Sequence, residues 1–327
     1  MTEHVTPEKW LSTMRKEYLQ DFIRQGGATV KFVVPIDVPA LRDIQDGLQR
    51  AAEDELFHFA FVDAVSTKLH MVDKVFHQVA QQIDWDGLAY SFLCHILAGY
   101  CKLPTERDQF NLRQIALLNG QEEVEMRRSI NNRLKNELYR DYAMSQEFRI
   151  AMLRLCQAQL DPGEVNPALS DTVKEWLRGE LRLISALKPA LIFQKIGRHN
   201  ARHMLFSLSH WLKCAGMSGL VLVLDISRYV EGVRPKEPDG TFYYSLPAVL
   251  DCYEVLREFI DSTDEMEFSF ICAIAPLAFV DSDNRRGLWA YDALKLRIWD
   301  EVRDKRFVNP LSSLIRVSRS VNMQFVQ

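Results

Sequence analysis

Hydrophobic positions follow two different periods along the chain, and the period changes twice. In the first block, residues 1–85, short apolar runs at Val30–Val34 and Phe57–Val62 are typical of buried strands. Each run is followed by a segment with apolar residues three or four positions apart, which predicts an amphipathic helix. Strand, helix, strand, helix is the order in which a parallel α/β sheet begins.

The middle block, 86–217, contains no run typical of a strand. Its turn signals predict several helices, with breaks at Leu103–Pro104, Asn119–Gly120, Asp161–Gly163 and Lys188–Pro189. In the last block, 218–327, the patterns predict strands at Gly219–Asp225, Phe268–Ile274 and Leu311–Val317, and helices over 247–261 and 288–304. The sequence therefore predicts an α/β fold: a parallel sheet of about five strands, with an all-helical insertion between strands 2 and 3.

Composition narrows the function classes. The 327 residues are 47% hydrophobic and 26% charged, with a net charge of −4, which is ordinary for a globular protein and excludes a generally basic nucleic-acid binder. The six cysteines are scattered with no C-x-x-C pair, as expected of free thiols in a reducing compartment. No apolar stretch is long enough for a membrane span, so we expect a cytoplasmic protein.

The run Gly219–Asp225 places the carboxylate of Asp225 at the end of a predicted strand. In P-loop NTPases such an Asp holds the hydrated Mg²⁺, but those enzymes also need a G-x-x-x-x-G-K-[ST] loop. No glycine of this chain is followed by lysine, and Ile226 stands where a hydrolytic site usually has Glu. Two interpretations of Asp225 remain open: a magnesium ligand, or a side chain that caps a turn or pairs with Arg228.

The first predicted strand-to-helix turn carries Asp37 and two prolines. Asp37 is a suitable N-cap and Pro39 a suitable early helical residue, so the helix should begin here. A carboxylate at a helix N-terminus fills the place where a P-loop holds phosphate, and proline removes backbone donors. One interpretation is a nucleotide bound by an unorthodox loop; the other is a capped helix with no phosphate site.

Two basic regions are candidate interaction sites. Residues 181–224 contain no acid. Their cations predict either a nucleic-acid surface or a basic face that meets solvent or an acidic partner, and they are Arg182, Lys188, Lys195, Arg198, Arg202 and Lys213. His199 and His203 are spaced for one helical face, but the inner positions do not form H-E-x-x-H, so no metal site is expected.

The second region follows the fourth predicted strand. In ring ATPases an arginine at this place can reach a nucleotide in a neighbouring subunit, and the candidates here are Arg285, Arg286 and Arg297. The open alternative is internal ion pairing with the nearby acids Asp292, Asp300, Glu301 and Asp304.

Five stretches together resemble a known family. They are Phe22–Val34, Trp176–Glu180, Asn200–Leu205, Gly216–Asp225 and Asn309–Arg316. Their order and spacing are similar to those of the ATP-binding proteins of BREX-type phage-defence systems. The resemblance implies a P-loop, AAA-like sheet with a helical insertion, covering most of the chain. In that family the first strand leads into a glycine-rich, lysine-bearing loop and a later strand into an acidic pair, where this chain has Pro35–Pro39 and Asp225-Ile226.

The resemblance and its departures predict a degenerate, catalytically inactive ATPase-like subunit, with Asp37 and Asp225 marking the former nucleotide site. No cofactor is expected unless a non-standard site holds ATP-Mg²⁺. The predicted partners are other defence-system proteins, such as an ATPase, helicase, nuclease or methyltransferase, with double-stranded DNA and self-assembly as further candidates and no membrane. The alternative functions are a DNA-binding or DNA-sensing module and an active NTPase with a non-standard phosphate loop.

Overall fold

The computed structural model describes residues 4–161, 167–232, 242–299 and 308–319. Within it the chain forms two compact units: Met1–Val75 with Ser218–Gln327, and Phe76–Met217. The helical segment predicted over 86–217 falls within the second unit. The domain bounds inferred from the sequence, at 85/86 and 217/218, stay predictions.

A five-stranded, all-parallel sheet forms the centre of the first unit. Its spatial order is β2-β3-β4-β1-β5, and the strands are Ala28–Pro35 (β1), Phe57–Asp63 (β2), Gly219–Asp225 (β3), Ser269–Ile274 (β4) and Leu314–Val317 (β5). All five predicted strands are confirmed. The sheet is consistent with the P-loop-like domain that the family resemblance implies.

The neighbouring inner strands β3 and β4 consist almost entirely of buried residues. Every residue of β4 is buried, and so is every residue of β3 except Asp225. A parallel strand covered by helices on both faces needs such an unbroken apolar run, because neither face meets water. Trp10 and Phe270 are fully buried in the hydrophobic core of this unit.

Local sequence patterns, such as the spacing of apolar residues, predict the helices of the first unit. The helix Val38–Asp54 carries the predicted apolar face, with Ile44, Leu48 and Ala52 buried. The helices of this unit are Pro7–Thr13 (α1, continued by π-helical Met14–Phe22 and a 3₁₀ turn to Gln25), Val38–Asp54 (α2), Ser227–Glu231 (α10), Leu246–Asp261 (α11) and Asp292–Ile298 (α12). The single helix predicted over 288–304 is instead a 3₁₀ turn, Leu288–Ala290, followed by α12; its residues 300–304 lie outside the described part of the chain.

In the second unit every regular element of the described residues is helical. The α-helices from the end of the first block through this unit are Val72–Gln81 (α3), Trp85–Leu97 (α4), Leu112–Leu118 (α5), Glu123–Leu134 (α6), Gln146–Leu160 (α7), Pro167–Arg178 (α8) and Ala201–Cys214 (α9). The break predicted at Lys188–Pro189 is wrong, because both residues lie inside the 3₁₀ helix Ile184–Ala190. A helix this short loses only one donor to the proline.

No helix among the residues that the structure describes is both long and apolar enough to cross a bilayer.

His58 on β2 makes the first unit sensitive to acid. Its Nε2 is buried and has no hydrogen-bond partner among the residues that the structure describes, and burial lowers the pKa of His58 from 6.5 to about 4. As the pH falls through this interval the unfolded chain takes up a proton before the folded one, so the free energy of unfolding should fall by at most about 3 kcal/mol. Urea denaturation of wild type and His58→Leu between pH 7 and pH 4 tests this. The stability difference between the two should change with pH; a constant difference would contradict the assignment.

Candidate functional site

The carboxyl ends of the parallel strands meet at one edge of the sheet, which is where open α/β sheets bind ligands. Polar side chains lie there in two separate groups. Asp37 follows β1, and Ser318 follows its neighbour β5. Asp63 ends β2 and Asp225 ends β3, and the two are direct register partners. Between the groups, β4 runs into the apolar residues Ala275 and Pro276.

Asp37 occupies the N-terminus of α2 with its own carboxylate. Its Oδ1 accepts a hydrogen bond from the Ala40 N–H at 2.7 Å, as the sequence predicts for an N-cap. Its Oδ2 accepts bonds from the Ser318 hydroxyl at 2.9 Å and the Arg319 N–H at 3.2 Å. Partial burial raises the pKa of Asp37, but these bonds and the charge of Arg319 outweigh burial and lower it. The carboxylate is therefore ionised and held by both the helix and the end of β5.

This arrangement removes most of what a phosphate would need at α2. Pro39 has no N–H, and the Ala40 N–H is already bonded to Asp37. Within the described residues, only the Val38 N–H of the first turn is left without a protein acceptor. A phosphate approaching the helix dipole would also meet the negative charge of Asp37.

The cap can be tested through stability. Asp37→Ala should lower the free energy of unfolding by about 1–2 kcal/mol, because the Ala40 N–H loses its acceptor and the end of β5 loses its anchor. Asp37→Asn keeps an acceptor for the Ala40 N–H but replaces Oδ2 with an amide donor, so it should cost less than Asp37→Ala and lose mainly the bonds to the end of β5. Urea denaturation measures both. Equal costs for the two variants would show that the cap contributes nothing.

Asp225 is engaged by its own turn. Its Oδ1 accepts the Ser227 N–H at 2.9 Å, which is the turn-capping contact of the second sequence interpretation. Arg228 points elsewhere, since its Nε donates to the Phe242 carbonyl at 3.0 Å. Burial and the nearby charge of Asp63 raise the pKa of Asp225, although the hydrogen bonds from Ser227 oppose them. Asp63 in turn accepts the N–H groups of Val65 and Ser66, each at 2.8 Å.

The three candidate arginine fingers differ in what they contact. Arg297 donates hydrogen bonds to both carboxylate oxygens of Asp261. It therefore forms an internal ion pair, but its partner is not one of the acids named from the sequence. Of those, Asp292 pairs with Lys295 at 3.0 Å, and Asp300, Glu301 and Asp304 lie outside the described residues.

Arg286 is bonded to backbone. Its Nε donates to the Tyr229 carbonyl at 2.9 Å, and its guanidinium also donates to the Tyr244 carbonyl. Arg285 is exposed and forms no ion pair with any residue in the described part of the chain. Of the three, Arg285 is the one that a neighbouring molecule could contact without breaking an internal bond.

The basic residues of 181–224 lie partly on the surface of the second unit. Arg182, Lys188, Lys195 and Arg198 are exposed, while Arg202 is only partly so. Exposed apolar side chains accompany them on the same stretch, namely Leu183, Leu191 and Phe193. Lys195 contacts the Arg182 carbonyl at 3.5 Å. This stretch therefore exposes both positive charge and apolar surface.

Sequence reasoning placed Asp37 and Asp225 at the same sheet edge but missed their surroundings. Asp63 becomes a neighbour of Asp225 only through the pairing of β2 with β3. Ser318 and Arg319 reach Asp37 from 281 and 282 residues away. No local pattern marks such contacts.

Comparison with known proteins gives one family. The model described as "BREX system ATP-binding protein BrxC/D" matches residues 108–324, which is more than half of the 327-residue chain. No curated protein and no solved structure matches the chain.

Proposed function

The chain belongs to the BREX system ATP-binding protein BrxC/D family, and from this premise we propose that it is a catalytically inactive, ATPase-like subunit of its defence system. Membership implies a role in phage defence, with partners among the other proteins of the system. The family is described as ATP-binding. The proposal concerns this member of the family, in which the residues at the candidate phosphate and magnesium positions are not suited to bind those ligands.

The observation that carries the proposal is the Asp37 carboxylate on the N-terminus of α2, bonded to the Ala40 N–H at 2.7 Å. A P-loop offers phosphate several backbone N–H groups and a lysine. This turn offers a negative charge, a proline and no lysine. Rebuilding it into a phosphate cradle would require breaking the bonds from Ser318 and Arg319 as well.

The state of Asp225 supports the same proposal. A magnesium ligand of this kind works together with bound phosphates, which complete the octahedron. Here the Asp37 carboxylate lies at the N-terminus of α2, where those phosphates would bind. The residue after Asp225 is Ile226, which is fully buried and has no group to activate water.

Phage resistance tests whether nucleotide chemistry is needed. Asp225→Asn keeps the shape and the acceptor for the Ser227 N–H but removes the charge that magnesium requires. We expect cells that carry the whole defence system with Asp225→Asn to restrict phage as well as wild type, measured as plating efficiency. Loss of protection at normal protein abundance would favour the active NTPase with a non-standard phosphate loop.

The proposed role is to hold or regulate a partner, and Arg285 is the proposed contact. A subunit that retains an ATPase-like surface can present an arginine to a neighbour's nucleotide, where such a residue is worth about 10³-fold or more in rate. Purification of the native protein from cells that express the complete system, followed by mass measurement, should give an assembly with another defence protein. A free monomer under these conditions would contradict the scaffold role.

The second candidate, a DNA-binding module, is favoured by the exposed cations and the exposed Phe193 in the second unit. Lys188→Glu with Arg198→Glu should abolish retention on duplex DNA, and wild-type binding should fall steeply with salt. The matched control is Arg113→Glu with Arg128→Glu, which makes the same charge change at two other exposed positions of this unit. No salt-dependent binding by wild type would remove this candidate.

A further inference from the structure

Three side chains of metal-ligand type converge in the second unit. His210 and Cys214 lie one turn apart at the end of α9, and Asp141 comes from the turn before α7. The Nε2 of His210 is 2.8 Å from Oδ2 of Asp141, and the Sγ of Cys214 is 3.9 Å from the same oxygen. One donor atom from each lies within 4.8 Å of the other two.

The turn that carries Asp141 is fastened to α9. The other carboxylate oxygen of Asp141 accepts the Ala143 N–H at 3.2 Å, which fixes the side chain. Further along the turn, the Ser145 N–H donates to the Ser207 hydroxyl at 2.8 Å, and the Ser145 hydroxyl contacts Met204 Sδ at 3.3 Å. Ser207 and Met204 both belong to α9. The three donors are therefore set on backbone that is already held together.

From this geometry we propose that Asp141, His210 and Cys214 form a zinc site. In a tetrahedral zinc site the usual bond lengths place nitrogen and oxygen donors about 3.4 Å apart and sulfur and oxygen donors about 3.6 Å apart. The distances of 2.8 and 3.9 Å seen here differ from those values by about 0.6 and 0.3 Å, which side-chain rotations supply.

The donor set selects the class of metal. A thiolate, an imidazole and one carboxylate suit a borderline ion such as Zn²⁺, whereas Mg²⁺ and Ca²⁺ require oxygen ligands. With Cys214 and Asp141 ionised and His210 neutral, the ligands neutralise the charge of the ion. The side chains of His210 and Asp141 are 19% and 21% exposed, so solvent can reach a fourth coordination position.

The site would join the turn at Asp141 to the C-terminal end of α9, a helix of the same unit. Without a metal the same groups form a hydrogen-bonded pair of His210 and Asp141 beside a thiol. If the cluster is only this hydrogen-bonded pair, replacing Cys214 has no effect on metal binding. If the cluster is a zinc site, replacing Cys214 weakens metal binding, so a Cys214 variant distinguishes the two descriptions.

The test uses the full-length protein, freed of metal with a chelator under a non-thiol reductant. Titration with Co²⁺ should give one equivalent of a complex with a thiolate-to-cobalt charge-transfer band. Zn²⁺ should displace the cobalt. The protein should also take Zn²⁺ from a chromophoric chelator, with a dissociation constant that is micromolar or lower. Cys214→Ser should abolish the band and weaken zinc binding by at least about tenfold, since an alcohol is a poor ligand at neutral pH. Asp141→Asn, a second near-isosteric change, should also weaken zinc binding.

The controls are Cys94→Ser and Cys101→Ser, which alter two other partly exposed free thiols. Both should bind cobalt and zinc as wild type does. The proposal is overturned if wild type fails to compete with the chelator. A charge-transfer band that survives Cys214→Ser, or that is lost with either control, overturns it equally.

Discussion

Gly219→Ala should lower the free energy of unfolding of the first unit by about 3 kcal/mol or more. Gly219 begins β3 with φ +137°, a backbone conformation that residues other than glycine rarely adopt. An added Cβ would also lie 2.1 Å from the carbonyl oxygen of Phe268. That carbonyl accepts the Leu220 N–H at 2.9 Å. The methyl group can therefore be accommodated only by disturbing the contact where β3 meets β4.

Gly216→Ala is the matched control. Gly216 also has a positive φ, +90°, but no atom lies within 4 Å of the added Cβ. It should cost only the backbone strain, about 1–2 kcal/mol. Urea or thermal denaturation of the two variants side by side gives the comparison. If both cost the same, the close approach at Phe268 is not a constraint on the sheet.

Arg286→Ala should cost about 3 kcal/mol, because it removes two charge-assisted hydrogen bonds and leaves the carbonyls of Tyr229 and Tyr244 without their donor. The same side chain also lies over the ring of Tyr243, with 5.7 Å between the guanidinium carbon and the ring centroid. The backbone N–H of Arg286, which the substitution keeps, donates to the Asn284 side chain at 2.9 Å and helps to fix the loop. Denaturation monitored by circular dichroism measures the loss.

Arg285→Ala removes the same charge one residue away, at an exposed position, and should change stability by less than about 0.5 kcal/mol. The pair therefore separates a structural arginine from one that can act on a neighbour. In a reconstituted complex, Arg285→Ala should lower the ATPase rate of the partner while the subunit stays folded. Equal destabilisation by both variants would contradict the contacts described for Arg286.

Elements that depend on neighbouring residues could be predicted from the sequence. A strand buried on both faces requires an unbroken apolar run, and Gly219–Asp225 has one. The start of α2 was predictable because Asp37 bonds to an N–H only three residues away.

The rest depends on contacts between distant parts of the chain. The partner of Arg297 is Asp261 on α11, not one of the acids closest in sequence. Arg286 bonds to carbonyls 57 and 42 residues before it, and backbone carbonyls leave no mark in a sequence. His210 and Cys214 have a recognisable i, i+4 spacing, but their third partner, Asp141, is 69 residues from His210.

The most direct test of the account is calorimetric titration of the purified, full-length protein with ATP and Mg²⁺. We expect no saturable binding up to millimolar nucleotide and no hydrolysis, because the Asp37 carboxylate occupies the N-terminus of α2, where phosphate would bind. Micromolar binding with turnover that disappears in Asp225→Asn would contradict it.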